Sequence, residues 1–240
     1  MKRIVAFLVA FLMVAVCLAS CGNEDIIDSS TESTQQTTEE NNDPVGVQLQ
    51  SDDGLIKFQL VAGEDGKAAT ATLYRWDILS STITIPETIT YNGHEYPITV
   101  IGLGQNITAA PSTVETLVLS SNVKVINASA FSMCNNLKTV AFAEGLEKIS
   151  NSAFFGCSSL TTIELPSTVK TVERSAFTGC ASVSAVIIGE NTETVEDSAF
   201  GFCTGIKTIS LPRKFADRVK DIFNGCPSVI GETCTIVYPD

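Results

Sequence analysis

A repeat of 23 residues constrains this chain more than any other feature of its sequence. Two residue types mark the repeat, and neither column slips by a position. Phenylalanine stands at Phe131, Phe154, Phe177, Phe200 and Phe223, and cysteine at Cys134, Cys157, Cys180, Cys203 and Cys226. A fixed period of about 20–50 residues is the signature of an array whose units bury their apolar faces against each other. The sequence therefore predicts a solenoid.

The apolar residues between these columns predict one short strand in each repeat. A repeat begins with an apolar residue, has a second three positions later and a third two positions after that, as in Leu160, Ile163 and Leu165. The last step has the period of two that is typical of a strand with one face inward. Further apolar columns begin at Val123 and Ile126, and a Ser-Ala-Phe segment closes the coil. A coil with a strand on one side describes a leucine-rich repeat.

Residues 160–180 carry a family resemblance. They read Leu-x-x-Ile-x-Leu-Pro-x-x-Val-x-x-Val-x-x-x-Ala-Phe-x-x-Cys, which resembles the BspA-like leucine-rich repeats of surface proteins from Bacteroidetes and some anaerobes and protists. The resemblance covers roughly residues 83–226. It implies a non-enzymatic binding or adhesion module, displayed at the cell surface, for a host protein, another bacterium or a matrix component.

The regular array, residues 113–226, is expected to follow a β-rich N-terminal cap with degenerate repeats at residues 47–112. Within that cap, Ile83-Thr84-Ile85-Pro86 looks like a fragment of the repeat. Asn92-Gly93, flanked by strand formers, is a strong hairpin signal. A degenerate first rung is typical of a capping segment.

A C-terminal capping strand is predicted within residues 227–240. The strand itself is expected between Thr233 and Tyr238. The 23-residue period places Cys234 in the slot of Leu211, and it places Arg218 in an otherwise apolar column.

The N-terminus reads as a lipoprotein signal peptide, residues 1–20. After Lys2-Arg3, an apolar run of 16 residues extends from Ile4 to Ala19. This run is shorter than the ~20 residues of a spanning helix. Leu-Ala-Ser before Cys21 resembles a lipobox and implies acylation of Cys21; the alternative is ordinary cleavage that leaves a free thiol there. Residues 21–46, acidic and rich in Ser and Thr, are predicted to form a disordered tether.

The charge balance narrows the possible partners. The chain has 15 Lys and Arg against 27 Asp and Glu, and removal of the signal takes two basic residues and no acidic ones. An acidic surface repels nucleic acid and anionic lipid head groups, so membrane contact is expected through a lipid at Cys21 alone. Glu24 and Asp25 resemble the surface-export signal of Bacteroidetes lipoproteins. The predicted location is the outer membrane, with display at the cell surface.

The outward positions of the strands form a candidate binding face. The face is flat and mildly apolar, and solenoids of the resembled type usually bind partners there. An alternative is that threonine merely suits an exposed strand position. The candidate residues are Thr116, Val118, Thr139, Ala141, Thr162, Glu164, Ala185, Ile187, Thr208 and Ser210.

The phenylalanine and cysteine columns are interpreted as structural ladders. The rings are expected in the core, and the thiols are expected to pack there as small hydrophobic groups. A disulfide between rungs is the alternative, with Cys226 and Cys234 the best-placed pair. One thiol per rung does not make a metal site. The alternating charges of Lys124, Glu147, Lys170 and Glu193 are expected to pair between rungs.

Catalysis finds little support in the sequence, and no cofactor is predicted. His94 is the only histidine, so a catalytic triad or a multi-histidine metal site has no basis. Two alternatives to adhesion remain open, namely a structural envelope protein and an accessory glycan-binding lipoprotein for nutrient capture. The glycan alternative depends on aromatic platforms, for which Trp76, Phe155 and Phe202 are the candidates.

Overall fold

The computed structural model describes residues 44–51, 56–62, 68–76, 80–102 and 113–239. The predicted signal peptide, Cys21 and the tether up to residue 43 lie outside the described residues. Residues 103–112, which belong to the degenerate repeats of the predicted cap, also lie outside them. Among the residues that the structure describes, none belongs to a helix long and apolar enough to cross a bilayer.

Six strands precede the regular array, and they form the predicted β-rich segment. They are β1 Gln48–Gln50, β2 Ile56–Ala62, β3 Ala68–Trp76, β4 Thr82–Thr84, β5 Thr88–Tyr91 and β6 His94–Ile101. The first three form an antiparallel meander, and β6 pairs parallel to β3. The predicted hairpin joins β5 to β6, with φ of 49° at Asn92 and 80° at Gly93. Positive φ at both central residues is the reason that Asn-Gly suits this tight turn.

The array contains two ladders of short strands, and neighbouring rungs pair in parallel. Its strands are β7 Thr116–Val118, β8 Val125–Ile126, β9 Thr139–Ala141, β10 Lys148–Ile149, β11 Thr162–Glu164, β12 Thr171–Val172, β13 Ala185–Ile187, β14 Thr194–Val195, β15 Thr208–Ser210 and β16 Thr235–Val237. The two-residue strands β8, β10, β12 and β14 continue the sheet that begins in the N-terminal meander. The three-residue strands carry the candidate binding face. The leucine-rich repeat solenoid predicted from the sequence is confirmed, and the structure adds a second, two-residue strand to the one strand predicted in each rung.

The five phenylalanines of the repeat stack along the interior of the array. Consecutive rings lie 5.0–5.2 Å apart between centroids, with interplanar angles of 1–16°. All five side chains are buried. Because the same ring returns at the same place in each rung, the stack holds the 23-residue register in the core.

The cysteines form a second buried ladder beside the rings. In four rungs, the thiol donates a hydrogen bond to the carbonyl oxygen of the phenylalanine of the preceding rung, at 3.1–3.4 Å. All six cysteines among the described residues are free thiols. The alternative pairing of Cys226 with Cys234 is therefore not formed.

The C-terminal rung departs from the 23-residue period. A 3-10 helix at Arg213–Arg218 leads into α1 at Val219–Ile222 and α2 at Pro227–Ile230, and the closing strand β16 follows. The register pairs Ile209 with Ile236. The prediction that Cys234 fills the slot of Leu211 is wrong by four residues, because the helical segments lengthen this rung. Tyr238 follows β16 in that slot.

Arg218 ends the ladder of two-residue strands. Its Nη1 donates to the carbonyl oxygen of Val195 at 3.0 Å, and its Nη2 donates to Oδ1 of Asp197 at 2.5 Å. The guanidinium thus satisfies a carbonyl at the edge of β14 that a further strand would otherwise bind. This explains an arginine in a column that is apolar in the preceding rungs.

Candidate binding face

The ten predicted face residues lie on five strands of the array, in matching register. Thr116 is opposite Thr139, Val118 is opposite Ala141, and Thr162, Ala185 and Thr208 form one continuous row. Alternate side chains of a strand point to opposite faces of a sheet. The middle residue of each strand is buried, so the two flanking residues point outward.

The strands at both ends extend this face beyond the predicted residues. Thr82 and Thr84 of β4 align with Thr116 and Val118, and Thr235 of β16 aligns with Thr208. The sequence contained a signal for β4, in its match to the repeat. The closing strand predicted between Thr233 and Tyr238 is present as β16, although the 23-residue period does not align it because its rung is longer. The face therefore has threonine in six of seven outward positions of one row.

The face is nearly uncharged and mildly apolar. Glu164 contributes the one carboxylate among the ten predicted residues. Ile187 is 38% exposed and Val237 is 46% exposed, so apolar side chains stand free in its C-terminal half. Threonine hydroxyl groups add donors and acceptors without charge. Such a face suits a partner that covers several strands at once with apolar contacts and hydrogen bonds.

Phe142 coincides with a break in the face. The strands separate into β4-β7-β9 and β11-β13-β15-β16, and no strand pairing joins β9 to β11 within residues 113–239. Phe142 stands where other rungs have Leu or Ile, and its ring meets Phe154 edge-on at 5.7 Å and Phe177 at 6.3 Å. The larger ring is only partly buried. The face consists of two segments, and Phe142 lies at the boundary between them.

Ion pairs connect rungs at the predicted alternating column. Lys124 lies 3.9 Å from Glu147, and Lys170 lies 3.9 Å from Glu193. Both pairs are exposed, so each contributes only about 0–1 kcal/mol. A slip by one rung would place like charges side by side, so the column favours the correct stacking.

The buried thiols are expected to be unreactive. A hydrogen bond with the Cys134 thiol, together with burial, raises the pKa of Cys157. The neighbouring Cys203 thiol and burial raise the pKa of Cys226 in the same way. A thiol held neutral is a poor nucleophile and a poor metal ligand. No group of His, Cys, Asp and Glu within the described ranges could hold a metal ion.

The turns that follow the phenylalanines form a second exposed surface, which we call the turn ridge. It comprises residues 132–136, 155–159, 178–182 and 201–205. Three large apolar side chains stand out on it: Met133 is 55% exposed, Phe155 is 39% exposed and Phe202 is 56% exposed. The sequence analysis identified Phe155 and Phe202 as candidates for exposure, and it missed Met133.

Met133 and Phe202 occupy a backbone position that favours glycine. The equivalent residues of other rungs are Gly156, Gly179 and Gly225, with φ of 71–79°. Met133 has φ of 63° and Phe202 has φ of 53°. The backbone N–H of this position donates to the next rung at 2.7–2.8 Å, which fixes the left-handed conformation. For a residue other than glycine, the left-handed backbone conformation at this position costs about 1–2 kcal/mol of conformational free energy.

A cavity of about 460 Å3 opens beside the C-terminal helices. Val219, Val229 and Ile236 contribute apolar walls, and Asp217 and Glu232 contribute carboxylates. Glu232 is held by Lys220 at 3.2 Å. The one thiol in its lining is Cys234, and burial raises the pKa of that thiol.

The other candidates from the sequence do not form a site. His94 is exposed at the start of β6, beside the hairpin turn. The side chain of Trp76 lies outside the described part of the chain. The described part of the chain thus presents two candidate binding surfaces, the sheet face and the turn ridge.

Comparison with known proteins agrees with this architecture. The family described as "BspA type Leucine rich repeat region" matches residues 105–230 in six copies. The chain belongs to the BspA-type leucine-rich repeat family. The resemblance drawn from residues 160–180 is confirmed. Leucine-rich repeat families of this kind are not generally enzymatic.

Solved structures show the same fold at low sequence identity. A leucine-rich repeat protein of T. pallidum has 22% identity and a TM-score of 0.57, over 65% of this chain and 69% of that protein. A leucine-rich repeat protein from Bacteroides ovatus has 23% identity and a TM-score of 0.56, over 66% of this chain and 46% of that protein. The pneumococcal vaccine antigen PcpA has 20% identity and a TM-score of 0.55, over 70% of this chain and 45% of that protein. This chain thus spans less than half of the latter two. No curated protein matches it.

Proposed function

We propose that this protein is a non-enzymatic binding and adhesion module, held at the outer membrane by a lipid on Cys21 and displayed at the cell surface. The array presents its sheet face to a protein or matrix partner. Membership of the BspA-type family supports the binding role. The lipobox-like sequence before Cys21 supports the anchor.

The observation that carries the proposal is the register of the sheet face. Two outward rows repeat on the five three-residue strands β7, β9, β11, β13 and β15, with one carboxylate among the ten predicted residues. A nearly uncharged surface requires little desolvation of charged groups when a partner covers it. Exposed apolar groups such as Ile187 contribute about 25 cal/mol for each Å2 that a partner buries.

Protease shaving of intact cells tests the location. We expect peptides from residues 47–240 in the released fraction, identified by mass spectrometry. The variant Cys21→Ser should leave the membrane fraction, because an acyl chain supplies the anchor. Protection of the array until the outer membrane is broken would contradict surface display.

Variants of the face test the binding role. Ile187→Asp adds a charge within the C-terminal segment of the face, and Asn191→Asp is the matched control, since Asn191 is exposed in the loop after that strand. We expect the Ile187 variant alone to lose adhesion to an immobilised basement-membrane extract, with both proteins equally stable. Equal adhesion by the two variants would argue against this face.

A further inference from the structure

The turn ridge has a composition that sets it apart from the rest of the chain. It contains five positions in each of four rungs, of which the cysteine position is buried, and none of them is Asp, Glu, Lys, Arg or His. The whole chain is 18% charged, with a net charge of −12. Exposed polar groups on the ridge, such as those of Asn135, Ser182 and Thr204, are amides and hydroxyls.

Folding does not account for the two bulky residues at the glycine position. The side chain of Met133 lies over Gly156, and the ring of Phe202 lies over Gly225. Gly179 stacks against Gly156 with no such cover, so the rungs pack without it. Because left-handed backbone favours glycine, Met133 and Phe202 stand against a conformational preference, and each side chain remains more than half exposed above the glycine that it covers. Retained strain of this kind points to a role in binding.

The size and charge of the ridge select the kind of ligand. Four rungs at about 4.8 Å each make a surface about 19 Å long. Even at about 10 Å wide it offers roughly 200 Å2, against about 800 Å2 per partner in a stable protein interface. A charged polymer would find no opposite charge on the ridge, and the net negative chain would repel an anionic one. The kind of ligand that fits both the size and the charge of the ridge is narrow, neutral and extended.

We propose that the turn ridge binds a neutral oligosaccharide, as a site separate from the sheet face. The rings of Phe155 and Phe202 present π faces to the weakly positive C–H faces of sugar rings. Met133 adds a flexible apolar contact at the N-terminal end. The hydroxyls and amides beside these residues donate to and accept from sugar hydroxyls.

Three substitutions test this proposal in the full-length protein. Met133→Gly and Phe202→Gly restore the residue that other rungs have at this position, and Phe155→Ser removes the third apolar group. The first two should leave the melting temperature unchanged or raise it. The matched control is the sheet-face variant Ile187→Asp, which leaves the ridge intact. The probes are maltoheptaose, cellohexaose and mannohexaose, with polygalacturonate as an anionic counterpart, and binding is measured by calorimetry.

The expected result is saturable binding of at least one neutral probe, with an affinity that stays constant between about 50 and 500 mM salt. The triple ridge variant should bind at least about tenfold more weakly, since each stacked ring contributes a severalfold factor. Ile187→Asp should bind as the wild type does. Absence of binding to all three neutral probes would overturn the proposal. So would equal binding by the ridge variant or preference for polygalacturonate. None of these results bears on the sheet face.

Discussion

The substitution Phe177→Ala tests the stack of rings on which the register depends. Phe177 is fully buried in the middle of the array. Its ring lies 5.1 Å from that of Phe154 and 5.2 Å from that of Phe200, and Phe142 meets it edge-on at 6.3 Å. Alanine at this position would leave a cavity between two rungs whose backbones are fixed by hydrogen bonds on both sides.

The size of the effect follows from burial and ring contacts. Replacing a core phenylalanine with alanine costs about 3–5 kcal/mol, and the loss is larger where the surroundings cannot collapse. Each aromatic pair contributes about 0.5–1.5 kcal/mol beyond its buried area. Because Phe177 loses two stacked partners and one edge contact, we expect about 4–5 kcal/mol. For a domain of this length, the melting temperature should fall by about 8–20 °C.

Urea unfolding followed by circular dichroism measures the loss, and Phe202→Ala is the matched control. Both variants remove the same ring, but Phe202 is mostly exposed. The control should change stability by less than about 1 kcal/mol. Since repeat arrays can unfold in parts, tryptophan fluorescence should be recorded as a second probe, because the one tryptophan of the chain, Trp76, belongs to strand β3 of the N-terminal sheet. Equal losses in the two variants would refute the ring stack as the element that holds the rungs in register.

Three further measurements test other parts of the structure. Hydrogen bonds with neighbouring thiols, together with burial, raise the pKa of three cysteines. Stability should therefore be constant below about pH 8.5 and fall by about 1.4 kcal/mol per pH unit for each thiol above it, as urea midpoints will show. These cysteines are Cys157, Cys203 and Cys226. Lys170→Glu should cost under about 1 kcal/mol at low salt and nothing at 1 M salt, because its partner Glu193 is exposed. Arg218→Met should cost about 1–2 kcal/mol in thermal unfolding, because it leaves the carbonyl of Val195 without its donor.

The periodic features of the fold could be predicted because each has a local physical cause that recurs. A buried ring every 23 residues and a period-two triplet fix the coil and the inward side of its strand. The hairpin at Asn92-Gly93 was predictable for another reason, since few residues adopt positive φ at two consecutive positions. The outward face followed from the same alternation.

Features that interrupt the period were not predictable in the same way. The helices before β16 lengthen the last rung, so a fixed step misplaced Cys234 by four residues. The serine of each Ser-Ala-Phe segment adopts φ of 56–59°, which composition alone does not suggest for serine. The break at Phe142 depends on how one larger ring packs against two others, and only coordinates show such a contact.

Departures from the repeat are the most informative residues of this chain, because every rung meets nearly the same folding requirements. A residue that recurs in all rungs is explained by stacking, as the buried phenylalanines are. Where a residue departs from the repeat although the stacking of rungs does not require the change, the departure needs another explanation. Met133 and Phe202 replace glycine at a left-handed position and expose their side chains, whereas Arg218 departs from its column and binds the end of a strand ladder. The first kind of departure marks a surface for binding, and the second marks the end of the array.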